Sequence, residues 1–354
     1  MNIQVTLANR PSLFRTLCVY LKILRSRVYT NDGPNVRELE KILAQNLGFK
    51  HVVLMANGTM PIQFLMSRLP DNSKVLTTPF SFVATSSAIV ESRLKPVFID
   101  IDESLLIDPE LVLSKIDDEQ VSAILLTFVY GKSEGIEDII KVAKTFDKPV
   151  YVDASHSFSL QPTLGDIPYC EAFTMSFHAT KVFSTIEGGA ILTNHDTLAF
   201  EAKKWRNFGI DNGKIEGVGI NGKMSEFHAA FGVKLFGDMA RELERRKKLA
   251  ANYEKMIRNT QIELVKSPSF SYFPILFKSE DLLVVCVKKL NEIGIFPRRY
   301  FYPSLDTIFQ QKGLSTEMCP VSNDVSSRVL CLPFGKDVRF KHVKRITQVL
   351  NETN

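Results

Sequence analysis

Pro149-Val150-Tyr151-Val152-Asp153-Ala154-Ser155-His156 is the stretch on which the reading of this chain turns. Its apolar run has no polar alternation, so it suits a strand buried on both faces, and a carboxylate closes it. Two further segments follow. Ser176-Phe177-His178-Ala179-Thr180-Lys181 brings a hydroxyl and an amine into one short polar stretch, and Ile186-Glu187-Gly188-Gly189-Ala190-Ile191 sets a glycine pair before a new apolar run. Upstream, strands are expected at His51 to Met55, Lys74 to Thr78, Pro96 to Asp100 and Ser122 to Val129, with helical patterns between them. One such helix carries Val36, Leu39, Leu43 and Leu47 on one face and stops at Gly48; another runs from about Ile136 to Phe146. Strands alternating with helices at this spacing predict an α/β fold with a mostly parallel central sheet covered on both sides. Ligands of such sheets bind beyond the carboxyl ends of the strands, where Asn57, Phe82 and Asp153 all fall.

The groups around Lys181 suit a pyridinium cofactor that bears an aldehyde and a phosphate. A lysine amine bonds to the aldehyde carbon, a carboxylate keeps the ring nitrogen protonated, and hydroxyl and backbone N–H groups receive the phosphate. Single residues admit plainer roles. Gly58 and Thr59 fit an anion site or an ordinary helix N-cap, and Phe82 is one of 25 phenylalanines. His156 suits a contact to cofactor or substrate, or a structural bond to backbone. His178 reads first as structural.

Three motifs in order carry a resemblance. The strand-end Asp with a His close behind it, the Ser-Phe-His-x-x-Lys element and the Glu-Gly-Gly element resemble the nucleotide-sugar aminotransferases of the DegT/DnrJ/EryC1/StrS family, which depend on pyridoxal 5′-phosphate (PLP). The likeness runs from about Thr30 to Pro303 and implies an aspartate aminotransferase-like (fold-type I) transferase. It implies that Lys181 holds PLP and that Asp153 faces the ring nitrogen. Phe82 would stack on the ring, Gly58, Thr59 and Ser176 would bind the phosphate, and His156 would contact the cofactor. Gly219 to Glu226 is similar to the family's Gly-x-Asn-x-Arg-Met-Ser element, so Asn221 is expected to reach a partner subunit's phosphate. Lys223 stands where Arg is common, and the two are not interchangeable. Thr30, Glu187, Lys223, Arg298 and Tyr302 are the expected substrate contacts, the last two by likeness of the stretch from Arg298 to Pro303.

The implied reaction moves an amino group from L-glutamate to a nucleotide-linked 4-keto-6-deoxy sugar. Likeness around Thr180 to Gly189 favours dTDP-4-keto-6-deoxyglucose and its C4, for surface polysaccharide or a glycosylated metabolite. A C3-aminating transaminase is an alternative. So is a dehydratase of the same fold, although those relatives carry His in place of the lysine. A non-catalytic binding or regulatory protein is the reading from another class. No Gly-x-Gly-x-x-Gly follows a strand, which weighs against a dinucleotide enzyme.

The 354 residues, 45% hydrophobic and 23% charged, suit a globular enzyme of two domains. The pattern changes near Met239, dividing a large cofactor domain (1–238, with a helical segment at 10–28) from a smaller α/β domain (239–354). A net charge of +5 does not argue for nucleic acid, and the basic run from Arg241 to Lys248 reads as a solvated helix face. Five scattered cysteines without a Cys-x-x-Cys pair favour a reducing, cytoplasmic setting and no metal. Leu13 to Leu24, broken by Arg15 and Lys22, is too short to span a bilayer. It reads as an amphipathic helix packed on its own chain or on a partner, without membrane contact; the reach of Asn221 that the resemblance implies makes the expected assembly a homodimer.

Overall fold

The computed structural model describes residues 2–159, 164–167 and 170–353. The chain opens with β1 (Ile3–Gln4), α1 (Leu13–Ser26) and α2 (Pro34–Leu47). Strands and helices then alternate: β2 (His51–Met55), α3 (Thr59–Met66), β3 (Lys74–Thr77), α4 (Val83–Glu91), β4 (Lys95–Phe98), α5 (Pro109–Lys115), β5 (Val121–Thr127), α6 (Ile136–Thr145) and β6 (Val150–Asp153). β7 (Ala172–Ser176), β8 (Gly189–Thr193) and α7 (Asp196–Trp205) complete the sheet region. A short antiparallel hairpin of β9 (Ile210–Asp211) and β10 (Lys214–Ile215) follows in the Gly-rich segment between Gly209 and Gly222.

Seven strands form one sheet in the order β2-β8-β7-β6-β5-β3-β4, and only β8 runs against the others. The strands lack polar alternation because both faces are covered. Along β2, Val52 and Leu54 join one buried cluster while Val53 and Met55 join the other. In β5, Ile124 and Leu126 split in the same way from Ala123 and Leu125. This is the period of two written in purely apolar residues. α2 buries Val36, Leu39, Leu43 and Leu47, each burial worth roughly 1.5–3 kcal/mol.

After α8 (Glu226–Phe236) and the long α9 (Met239–Met256) come β11 (Ile262–Leu264), β12 (Pro274–Phe277), α10 (Glu280–Glu292) and β13 (Ile295–Phe296). The chain ends with α11 (Leu305–Gln311), α12 (Pro320–Arg328), β14 (Val329–Cys331) and α13 (Phe340–Asn351). A second core gathers Tyr253, Ile275, Phe277, Leu290 and Ile346. The N-terminus joins it: β1 pairs parallel with β13, and Ile3 is buried in that core. A boundary drawn at 238 does not express this return, because the pairing of residues 3 and 295 has no local sequence signal.

The basic run on α9 is only partly a solvated face. Arg246 is buried, bonded to Glu242 and donating to the carbonyls of Phe270 and Ser271. Charge alternation cannot distinguish such an arginine from its exposed neighbours. α1 packs on α8 through Tyr20 against Phe227, Tyr29 just beyond α1 stacks on the same ring, and the one buried residue of α1 is Ile23. Leu13, Phe14, Leu17, Leu21 and Leu24 are exposed. No helix among the described residues is long and apolar enough to cross a membrane, and the five cysteines are free.

Candidate active site

Asp153 ends β6, in register with Thr127 on β5 and Thr174 on β7. Its carboxylate is buried and held by three donors. Ser155 donates to Oδ1 from its backbone N–H at 3.1 Å and its hydroxyl at 2.6 Å, and Thr85 donates to Oδ2 at 2.7 Å. Behind Thr85, the Ser81 hydroxyl lies 3.0 Å from that of Thr85 and 3.3 Å from that of Thr127. The aspartate is therefore fixed in direction by two hydroxyls, that of Ser155 just beyond β6 and that of Thr85 in the first turn of α4.

The turn before α3 is built for close approach. Asn57 Oδ1 accepts from the N–H groups of Thr59 and Met60, at 3.0 and 3.1 Å, so Asn57 supplies the cap and leaves the Thr59 hydroxyl free of that duty. A Cβ on Gly58 would lie 2.5 Å from the Ser176 Cβ. One on Gly189 would lie 2.3 Å from the Asn57 carbonyl oxygen. Both glycines let β2 and β8 bring this turn against Ser176.

These elements enclose a cavity of about 290 Å³ whose lining includes Gly58, Thr59, Phe82, Asp153, His156, Ser176, Lys181 and Glu187. Burial lowers the Lys181 amine to about 8, against the opposing pull of Asp153. Burial, and then the charge of Lys181, hold His156 well below the usual histidine range. Its Nδ1 accepts from the Tyr130 N–H at 3.3 Å, so the neutral ring carries its proton on Nε2. The ring stacks on Phe301 at 5.6 Å, which makes His156 both a backbone-bonded and a cavity-lining residue. His178 stands at the mouth, with Nδ1 2.8 Å from the Thr180 hydroxyl and Nε2 3.6 Å from Glu187.

Eight of the residues singled out from the sequence thus meet in one cavity; five do not. Thr30, Asn221 and Arg298 are exposed. Lys223 donates to Asn207 Oδ1 at 3.1 Å and lies over the Phe208 ring. Tyr302 is exposed with the Arg299 guanidinium stacked on it, while its neighbours Tyr300 and Phe301 line the cavity together with Tyr272. Thr85, Thr127 and Ser155 escaped the sequence reading. Ser155 had a signal as the Asx-turn partner two residues after Asp153. Tyr272 had none, since its place beside Phe80, Tyr130 and Phe301 forms only in the fold.

A family model for the DegT/DnrJ/EryC1/StrS aminotransferase family matches residues 17–351. The chain belongs to this family. It is 37% identical over 364 residues to a dTDP-4-amino-4,6-dideoxy-D-glucose transaminase of Shigella dysenteriae, covering 98% of both proteins. Against the enzyme of the same description from Escherichia coli the identity is 32%, again over 98% of each. Among solved structures, DesI in the presence of its TDP-sugar product superposes with a TM-score of 0.91 at 26% identity, covering 99% of this chain and 92% of that one. Aminotransferases of this family use PLP. The donor set fits that group: a glycine-permitted approach beside the Ser176 hydroxyl, a buried and oriented carboxylate, and a lysine that loses its proton near neutrality.

Proposed function

We propose that this protein transfers an amino group from L-glutamate to C4 of a nucleotide-linked 4-keto-6-deoxy sugar, with dTDP as the nucleotide. The observation that carries this reading is the meeting of Asp153, Ser176 and the partly buried Lys181 in one cavity, in a chain 37% identical to a transaminase named for that type of product. Ser176, the Thr59 hydroxyl and the backbone at Gly58 would hold the cofactor phosphate. Phe82, 56% exposed, would cover a ring face, and Asp153 would hold a proton on the ring nitrogen. PLP, when bound, supplies a sink for the electron pair left on carbon as a proton departs. Lys181 Nζ then moves that proton. With its proton held only to about 8, the amine is freed to accept one at neutral pH at a cost of roughly 1.4 kcal/mol.

Asn221, Lys223 and Thr30 lie outside their own chain's cavity, which supports reading them as contacts for a partner's site in a homodimer. The five free thiols support a cytoplasmic setting. Lys181 disfavours the dehydratase, whose relatives use His there.

The test is the absorbance of the purified protein with PLP, before and after L-glutamate, beside Lys181→Ala. A near-visible band that glutamate removes, that a nucleotide-linked 4-keto sugar restores, and that the variant cannot cycle is the expected result. A wild-type protein that develops no lysine-linked band overturns the reading.

A further inference from the structure

The residues before α1 form a strap between the second core and the loop that carries the lysine. Ile3 N–H donates to the Gly294 carbonyl at 2.9 Å, and Phe334 N–H donates to the Val5 carbonyl at 2.9 Å. Ile3 and Phe334 lie in the second core, and Val5 packs in the cluster that supplies Tyr272, Tyr300 and Phe301 to the cavity. Four residues beyond Val5, Asn9 is buried at 3% exposure, and its Nδ2 donates to the carbonyl of Val182 at 2.8 Å. Val182 is the residue after Lys181. The lysine itself sits in a turn closed by its N–H on the His178 carbonyl at 2.9 Å.

The oxygen of the same amide, Oδ1, is buried without a hydrogen-bond partner. An apolar side chain of similar size would avoid that unpaired oxygen, so packing does not account for an amide here; the N–H donor does. From this geometry we propose that Asn9 is a positioning residue for Lys181, referencing the lysine turn to the aromatic wall of the cavity through one hydrogen bond to the Val182 carbonyl. It touches neither cofactor nor substrate. This rests on the reading of Lys181 as the working amine given above.

Asn9→Leu removes both the donor and the orphaned oxygen; it leaves the Val182 carbonyl unpaired, so circular dichroism checks that the fold is kept. Asn9→Asp keeps the shape but turns oxygens toward the carbonyl. Gln4→Ala, an exposed position on the same strap, is the control. In cofactor-free protein, competitive acetylation of Lys181 with acetic anhydride, followed by mass spectrometry across pH, reads the amine directly. Asp153 and His156 are coupled to it by charge, and His178, Glu187, Tyr272 and Tyr300 are the other titratable groups lining the same cavity. The wild type is expected to half-titrate at about 8, and both Asn9 variants to shift toward the ordinary lysine value of 10.5 as the turn loosens and solvates. In the loaded enzyme kcat should fall about tenfold while KM for L-glutamate stays within about twofold, the pattern of a misplaced proton carrier. Unchanged titration and kcat in Asn9→Leu and Asn9→Asp, or equal losses in Gln4→Ala, would overturn the proposal while leaving the function intact. A wild-type Lys181 with ordinary titration and no cofactor band would instead sink the functional reading.

Discussion

At the scale of single residues, the site works by removing water from charges it needs to control. Lys181 is lowered to about 8 by burial, so the folded chain releases a proton there that the unfolded chain keeps up to its ordinary value of 10.5. Between those values the unfolded state binds more protons, and this group makes stability rise with pH. The same shift predicts that the glutamate half-reaction, followed by stopped-flow absorbance, climbs as pH rises toward 8. His156 acts at the acid end. Its folded state refuses a proton that the unfolded chain accepts near 6.5, so stability falls on acidification below that value, by up to about 1.4 kcal/mol per pH unit. Urea titrations of wild type and His156→Gln between those conditions should show the shallower slope in the variant. Thr85→Val withdraws one of the donors on Asp153. The expected loss is about 1.5–3 kcal/mol of support for the carboxylate, read as a kcat roughly tenfold or more below wild type with the fold retained by circular dichroism.

At the scale of elements, helix ends do much of the positioning. α2 starts without a side-chain cap of its own; the buried Glu226 at the head of α8 accepts from the N–H groups of Asn35 and Val36, both at 2.9 Å, and from the Asn35 amide at 2.7 Å. Carboxylate at a helix N-terminus is favourable, and its removal leaves buried donors unpaired. Glu226→Ala should therefore lower stability by roughly 3 kcal/mol, seen as a depressed unfolding midpoint in calorimetry. The α3 turn makes the opposite demand, for space rather than charge. Gly58→Ala drives a Cβ into Ser176 and should weaken PLP binding well before it unfolds the chain, a difference that fluorescence titration separates from thermal melting.

At the scale of the whole molecule, the cavity draws on more than one packing cluster. The sheet supplies lysine, aspartate and the phosphate-side groups, and a separate cluster that joins Phe80 and Tyr130 to Tyr272, Tyr300 and Phe301 supplies the aromatic wall. The outlying Asn221 predicts sharing between protomers. If it serves a partner's site, mixing inactive Lys181→Ala with inactive Asn221→Ala should restore activity, because a hybrid dimer holds one complete site. Random exchange would recover about a quarter of the wild-type rate. No recovery after verified subunit exchange would keep Asn221 within its own chain.

What the sequence determined by itself was local. The apolar strands at His51 to Met55 and Val150 to Asp153, the face of α2, and the ordered trio of Asp153, Ser176 and Lys181 were all legible. Periodicity and short-range motif chemistry are properties of neighbouring residues. Tertiary structure decided the rest. Register put Thr127 beside Asp153, a turn of α4 put Thr85 beneath it, and Glu226 reached 190 residues to cap α2. The division of α9 into solvated and buried arginines and the return of β1 to β13 were likewise settled only in the fold. Such contacts depend on which side chains the sheet and its two cores bring together, and hydrogen-bond partners at long range leave no trace in the residues on either side of them.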